Sequence, residues 1–248
     1  MMEKTKKDIK LIALDMDGTL LNNEGEISEG NRKAIAKAQE KGIYVVLSTG
    51  RSITTCRHFA KSLKLTSYII TVNGSEIWDS NDQLIERNTL SSNHIETMHS
   101  LTNTHNTHFW AVTTDKVWRG EFPENITDHE WLKYGFDVQD DEIRKVILDE
   151  LTQNPELEVS NSSPTNIEVN AVGINKAKAL ETISEKLGIT LDNVMAMGDS
   201  LNDLAMIKAA GVGVAMGNAQ DLVKEEANWV TATNVEDGVA KAIEHWAL

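Results

Sequence analysis

Residues 9–20 read IKLIALDMDGTL, an apolar run from Ile9 to Leu14 that stops against Asp15 and Asp17. A short, largely apolar run suits a strand buried on both faces of a parallel sheet. Acids just past its carboxyl end lie where open α/β sheets bind ligands. The residues that follow keep the rhythm. Ser28 to Lys41 predicts a helix: Ser28 is a good N-cap, Ala34, Ile35 and Ala38 share one face, and Gly42 is a stop. Ile43 to Leu47 predicts a second buried strand, Arg51 to Leu63 a second helix, and Ser67 to Val72 a third strand. Strand, helix, strand, helix, strand implies a parallel sheet with right-handed crossovers.

The same alternation returns near the end. Lys176 to Leu187 predicts a helix with Ala177, Leu180, Ile183 and Leu187 on one face and Gly188 as its stop. Val194 to Met197 and Val212 to Met216 predict strands, with a helix from Asp203 to Ala210 between them. Helices from Ala219 to Ala227 and Val235 to Trp246 flank a strand around Trp229 and Val230. The middle differs. A helix (Asn93 to Thr102), two β-rich runs (His108 to Thr113, Lys116 to Gly120), an irregular stretch, a helix (Asp141 to Thr152) and two strands (Leu157 to Ser160, Asn166 to Asn170) follow one another. Thr114-Asp115 and Asn161 to Pro164 are turn signals, so the strands they join run antiparallel. The fold class is therefore α/β with an inserted α+β module, which holds Trp110, Trp118 and Trp131.

Composition narrows the function. The 248 residues carry a net charge of -14, with 40% hydrophobic and 25% charged residues, an ordinary globular balance. So acidic a surface repels nucleic acid and anionic membranes, and no basic run offsets it. The Lys-rich start from Met1 to Lys10 is followed by no long apolar segment. The single cysteine, Cys56, forms no intrachain disulfide and reads as a plain helix residue. A soluble cytoplasmic enzyme is the expectation.

Four segments sit at or beside predicted strand ends. In Asp15-Met16-Asp17-Gly18-Thr19-Leu20, two carboxylates two apart can converge on one metal and one electrophile, one attacking while the other moves protons, or they can simply cap a turn. Leu47-Ser48-Thr49-Gly50-Arg51 offers a hydroxyl and free amides for an anion, or Thr49 as an N-cap. Lys176 is either a surface lysine or a charge for a phosphate oxygen or the nucleophile. Gly198-Asp199-Ser200-Leu201-Asn202-Asp203 either caps a helix or gives Mg²⁺ its preferred small set of carboxylates. Together they mark one site.

These four segments resemble the motifs of the haloacid dehalogenase-like hydrolases, in their Cof-type branch, and Asn73-Gly74 matches that branch too. The resemblance covers roughly residues 1–85 and 168–248. It implies a Rossmann-like core over those residues and a cap over 86–167 that selects the substrate. It also implies an Mg²⁺-dependent phosphoric monoester hydrolase acting on small phosphorylated metabolites: sugar phosphates, nucleotide-like or cofactor precursors. Asp15 is similar to the nucleophile that becomes aspartyl phosphate, and Asp17 to the general acid and base. Met16 through its amide, Thr49, Gly50, Lys176 and Asn202 would bind the phosphoryl group. The Asp15 carboxylate, the Asp17 carbonyl and Asp199 would hold Mg²⁺, with Asp203 supporting them from behind. Ala177 stands where the family usually has Gly, and the cap is shorter than in many relatives.

Phosphoryl transfer needs in-line positioning and charge neutralisation, which agrees with such a set. A phosphomutase using the same aspartyl phosphate and a non-enzymatic phospho-acceptor module are the alternatives. The second acid at +2 and the inserted module argue against the latter. Gly211 to Gly217 imitates a dinucleotide fingerprint in the wrong context. His94, His99, His105 and His108 lack zinc-ligand spacing. Asn125-Ile126-Thr127 is a glycosylation sequon with no secretory context. His108, Trp110, Trp118, His129 and Trp131 are the candidates to touch the leaving group.

Overall fold

The computed structural model describes residues 7–248. The Lys-rich opening from Met1 to Lys6 lies outside the described residues. The first half begins with β1 (Leu11–Leu14), α1 (Glu29–Glu40), β2 (Tyr44–Ser48), α2 (Ile53–Ser62) and β3 (Ile69–Thr71). A short hairpin follows, β4 (Glu76–Trp78) and β5 (Leu84–Arg87). The inserted module holds α3 (Ser92–His105), β6 (His108–Thr113), β7 (Val117–Arg119), β8 (Trp131–Asp137), α4 (Asp141–Thr152), β9 (Leu157–Ser160) and β10 (Asn166–Ala171). The chain then returns through α5 (Lys176–Leu187), β11 (Val194–Gly198), α6 (Leu201–Ala209), β12 (Val212–Ala215), α7 (Asp221–Glu226), β13 (Trp229–Val230) and α8 (Gly238–Trp246).

The main sheet runs β13-β12-β11-β1-β2-β3-β4-β5, parallel from β13 to β3. Every residue of β1 is buried, because the pleat sends alternate side chains into two different cores. Ile12 and Leu14 join Ile35, Cys56 and Ile243 beneath α1, α2 and α8, while Leu11 and Ala13 join Leu180, Ile183 and Met206 beneath α5 and α6. Local signals fix the helix ends. Ser28 caps α1 by accepting from the Asn31 amide at 3.1 Å, and Gly188 ends α5 in the left-handed region.

The cap sheet runs β7-β6-β8-β10-β9 and is antiparallel at every pairing. Its own core lies on one face, where Phe109, Ala111, Tyr134, Phe136, Ile167 and Val169 meet Ile95 and Met98 of α3 and Ile147 and Leu151 of α4.

Three features depart from the sequence reading. The main sheet is not wholly parallel, since β4 and β5 add an antiparallel edge. The stretch read as irregular contains β8, the central strand of the cap, whose Lys133, Gly135 and Asp137 alternate with Tyr134 and Phe136 and so hide a strand behind turn-like residues. The expected divisions at 85/86 and 167/168 cut through β5 and β10, and β10 pairs along its length with cap strands. Among the described residues, no helix is long and apolar enough to cross a membrane.

Candidate active site

β1 lies between β2 and β11, and the loops after these three strands open at one edge of the sheet. Asp15 leaves β1 with its amide donating to the Met197 carbonyl at 3.0 Å, which fixes it beside β11. The Met16 side chain is buried in the core, and its carbonyl accepts from the Thr19 and Leu21 amides. The turn needs Gly18 twice over: its φ is +82°, and a Cβ there would lie 2.5 Å from Asp199 Oδ2. Asp199 is thereby pressed against the first turn, where Thr19 Oγ1 donates to its Oδ1 at 3.2 Å.

Lys176 is fully buried, which rules out the surface reading. Asn175 caps α5 and places Lys176 at its first residue. The ammonium lies 2.6 Å from both Asp15 Oδ1 and Asp203 Oδ1. Asp203 is engaged at its other oxygen as well, accepting from the amides of Asp199 (2.9 Å) and Ser200 (3.1 Å) in a capping box at the start of α6. Asp15, Asp199 and Asp203 bring carboxylate oxygens within 4.8 Å of one another.

Three acids around one ammonium leave the cluster short of positive charge. Burial first, and then Asp203, push the Asp15 carboxyl well above its ordinary value against the opposing pull of Lys176. Burial and Asp203 likewise raise Asp199 to about 7. Burial would lower Lys176, but Asp15 and Asp203 outweigh it and hold the ammonium above its usual range. Hard oxygen donors in negative excess fit a small divalent cation. Asp203 is held at both oxygens by the ammonium and two backbone amides, whereas Asp199 accepts only the Thr19 and Ser200 hydroxyls and Asp15 only the ammonium, so Asp15 and Asp199 are the carboxylates with room for such an ion.

Thr49 does not cap α2, whose N-cap is Ser52. Its hydroxyl instead accepts from the Arg51 amide at 3.1 Å, and the residue itself is buried at the start of the loop between β2 and α2. Asn202 sits in the first turn of α6, and its amide reaches Asn73 Oδ1 at 3.3 Å. Asp17 is exposed and outside the acid cluster, its carboxylate gripped by Arg51. Asp15, Asp17, Gly50, Asp199 and Asn202 open onto one cleft of about 610 Å³ roofed by the cap.

Polar contacts that sequence patterning does not reveal join cap to core. Lys133 of β8 donates to the Gly50 carbonyl at 2.9 Å and to Glu168 of β10 at 3.1 Å. Asn73, at φ +59°, donates to the same carboxylate at 2.6 Å. Asn170 donates to the Val72 carbonyl and to Ser75 Oγ. The signal was present in β10, where Asn166, Glu168 and Asn170 alternate with Ile167 and Val169. Of the aromatic candidates, His108 and Trp110 line the cleft. Trp118, His129 and Trp131 pack on one another, with Phe122 stacked on Trp131.

The decoys have structural explanations. Gly211 and Gly213 admit the carbonyls of Asp192 and Ile207, each of which would lie 2.1 Å from an added Cβ. His94 pairs with Glu156, and His99 stacks on Phe122. Cys56 is buried in α2 and its thiol is pushed up to about 12, chiefly by burial.

Comparison with known proteins agrees with this geometry. A family model described as haloacid dehalogenase-like hydrolase matches residues 12–140 and 121–243. YcsE of Bacillus subtilis (strain 168), named a 5-amino-6-(5-phospho-D-ribitylamino)uracil phosphatase, is 68% identical over 247 residues, covering 100% of this chain and 99% of the relative. YitU of the same organism, of the same name, is 30% identical over 95% of this chain and 97% of its own. A solved haloacid dehalogenase-like hydrolase from B. subtilis superposes with a TM-score of 0.88 at 26% identity, covering 96% of this chain and 99% of that one. The sugar phosphatase BT4131 superposes with a TM-score of 0.84 at 25% identity, over 95% and 98%. With its acids at the edge of a Rossmann-like sheet and a cap above them, the chain belongs to the haloacid dehalogenase-like hydrolases and is a phosphatase of that family.

Proposed function

We propose that the chain hydrolyses small phosphate monoesters with Mg²⁺ through an aspartyl phosphate on Asp15, and that its physiological substrate is 5-amino-6-(5-phospho-D-ribitylamino)uracil or a close analogue. The observation that carries the chemistry is Lys176, wholly buried and 2.6 Å from both Asp15 and Asp203 beside Asp199. The 68% identity to YcsE over the whole chain supports the substrate.

Lys176 and the bond from the Asp15 amide to Met197 position Asp15 for attack. Its Oδ1 is held by the ammonium, and Oδ2 carries no hydrogen bond among the described residues. Oδ2 attacks phosphorus in line, the ester P–O bond breaks, and Asp17 protonates the leaving oxygen. Asp17 then takes a proton from water, which attacks the aspartyl phosphate and frees Asp15 and inorganic phosphate. The Met16 and Gly50 amides, Thr49, Lys176 and Asn202 bind the phosphoryl oxygens, and Asp203 keeps Lys176 and the Asp199 backbone in place. Mg²⁺, held by Asp15, Asp199 and the Asp17 backbone carbonyl, would supply the positive charge that lets a phosphate approach these acids. A surface at -14 suits a cytoplasmic enzyme of small metabolites without nucleic-acid or membrane partners.

The test is phosphate release from the ribitylaminouracil ester and from an aryl phosphate, with Mg²⁺ or with EDTA, by wild type and Asp15→Asn. Release that needs both the ion and Asp15 is expected. Full activity in Asp15→Asn protein free of wild type would overturn the mechanism.

A further inference from the structure

The cap sheet has two unlike faces. One carries the core under α3 and α4. The other, over the catalytic cleft, is polar: His108 on β6, Arg119 on β7, Lys133 and Asp137 on β8, Asn166 and Glu168 on β10. Trp110 stands among them, while Phe109 also reaches the cleft from its place against the cap core.

Trp110 pairs across the strands with Gly135 of β8. A Cβ at Gly135 would lie 2.2 Å from Trp110 Cε2 and 2.3 Å from Cζ2. The indole therefore lies flat over the β8 backbone. Gly135 is not among the glycines with positive φ, so its backbone conformation does not call for glycine, and space for the indole does. Val112 and Val117 support the ring from the same face, and the Arg119 guanidinium lies 5.9 Å from its centroid. The Gly135 backbone takes one indole face and the exposed Arg119 stands over the ring, while the half-buried indole still lines the cleft. Asp137 and Gln139, bonded to each other at 2.8 Å, line the same cleft with donor and acceptor capacity to spare, beside Asn166, which holds the Ser162–Ser163 turn.

A flat aromatic floor edged with donors and acceptors suits a planar nitrogen heterocycle, which stacks on its face and hydrogen-bonds at its edge. We infer that Trp110, laid flat by Gly135, is the stacking platform for the ring of the leaving group. The enzyme thereby selects phosphate esters of a polyol chain that ends in a planar heterocycle. This rests on the reading that the cleft hydrolyses phosphate esters at Asp15.

The test compares kcat and KM for 5-amino-6-(5-phospho-D-ribitylamino)uracil and for ribitol 5-phosphate, which lacks the ring. The proteins are wild type, Trp110→Leu, Trp110→Phe and Gly135→Ala. For Trp110→Leu the ratio of kcat/KM, ring substrate over ringless, is expected to fall about tenfold, the scale of one stacked base, mainly through KM. Trp110→Phe restores most of the ratio, and Gly135→Ala, which displaces the indole, lowers it while Trp110 remains. Activity on ribitol 5-phosphate and the melting temperature report folding in each variant. An unchanged ratio in Trp110→Leu overturns the stacking role alone. A wild type that hydrolyses ribitol 5-phosphate but not the ring substrate overturns it too, since the platform would then select nothing. Failure of wild type on both esters and on an aryl phosphate overturns the phosphatase reading, and the stacking role with it.

Discussion

Arg51 grips the Asp17 carboxylate at both oxygens: Nε donates to Oδ2 at 2.8 Å and Nη2 to Oδ1 at 2.5 Å. The guanidinium is steadied in turn by Phe59, whose centroid is 5.5 Å away. A two-point pair fixes the direction of a carboxylate, which a single contact does not.

Arg51→Lys keeps the charge and loses the fork. Proton transfer contributes about 10²- to 10⁴-fold in such reactions, so misaiming Asp17 is expected to lower kcat about tenfold. The pair is largely exposed and adds little stability, so the melting temperature should stay within about 2 °C. Steady-state kinetics alongside thermal melting checks both, and an unchanged kcat would show that Asp17 needs no such aim.

Gly18→Ala acts on a different group. Its methyl would meet Asp199 Oδ2 at 2.5 Å in a backbone at φ +82°. Either Asp199 or the turn must move. Displaced metal ligands commonly lose about 10- to 100-fold in affinity. The half-saturating Mg²⁺ concentration is therefore expected to rise by at least about tenfold, read by titrating activity with Mg²⁺. Wild-type Mg²⁺ dependence in this variant would remove Asp199 from the ion site.

Glu168 links stability to pH. Burial alone would raise its carboxyl, but Lys133 and hydrogen bonds from Asn73, Lys133 and Ser162 outweigh it and hold the group below its ordinary value of 4.5. A group lowered in the folded state stabilises fully above its unfolded value, and that stability is lost as pH falls through the folded one. Glu168→Gln leaves the buried Lys133 without its partner and is expected to cost about 3 kcal/mol at pH 7. That gap from wild type should narrow below about pH 4.5 as Glu168 itself takes up a proton. Denaturant melts at pH 7, 5 and 4 measure it, and a gap that does not change with pH would contradict the assignment.

Much of this was legible before any coordinates. The run from Leu11 to Leu14, the cap at Ser28 and the stop at Gly188 are local, and local signals read directly as elements. The acid pairs at strand ends marked the site because topology brings those ends together. Burial was harder to read. Lys176 reads as a surface lysine until α5 packs its first turn against β1 and β11. Lys133 and Glu168 are 35 residues apart and meet only through strand pairing in the cap. β8 was missed because the half of its residues that faces the cleft looks like loop. Thr49 reads as a helix cap or a ligand-binding group, and the N-cap of α2 lies three residues later, at Ser52.

The two sheets enclose separate large apolar interiors, bridged only by a small cluster of Val72 from the main sheet's side with Val112 and Leu132 of the cap. Asp15, Asp199 and Asp203 belong to the main sheet's edge, whereas His108, Asp137 and Asn166 stand on the cap outside every buried apolar cluster, and Trp110 rests only against the small bridging one. Substitutions at those cap positions leave the two large interiors filled and Asp15 untouched. A lineage can thus drift from one phosphorylated compound to another by small steps, each tolerated by the fold, while the reaction itself is inherited unchanged.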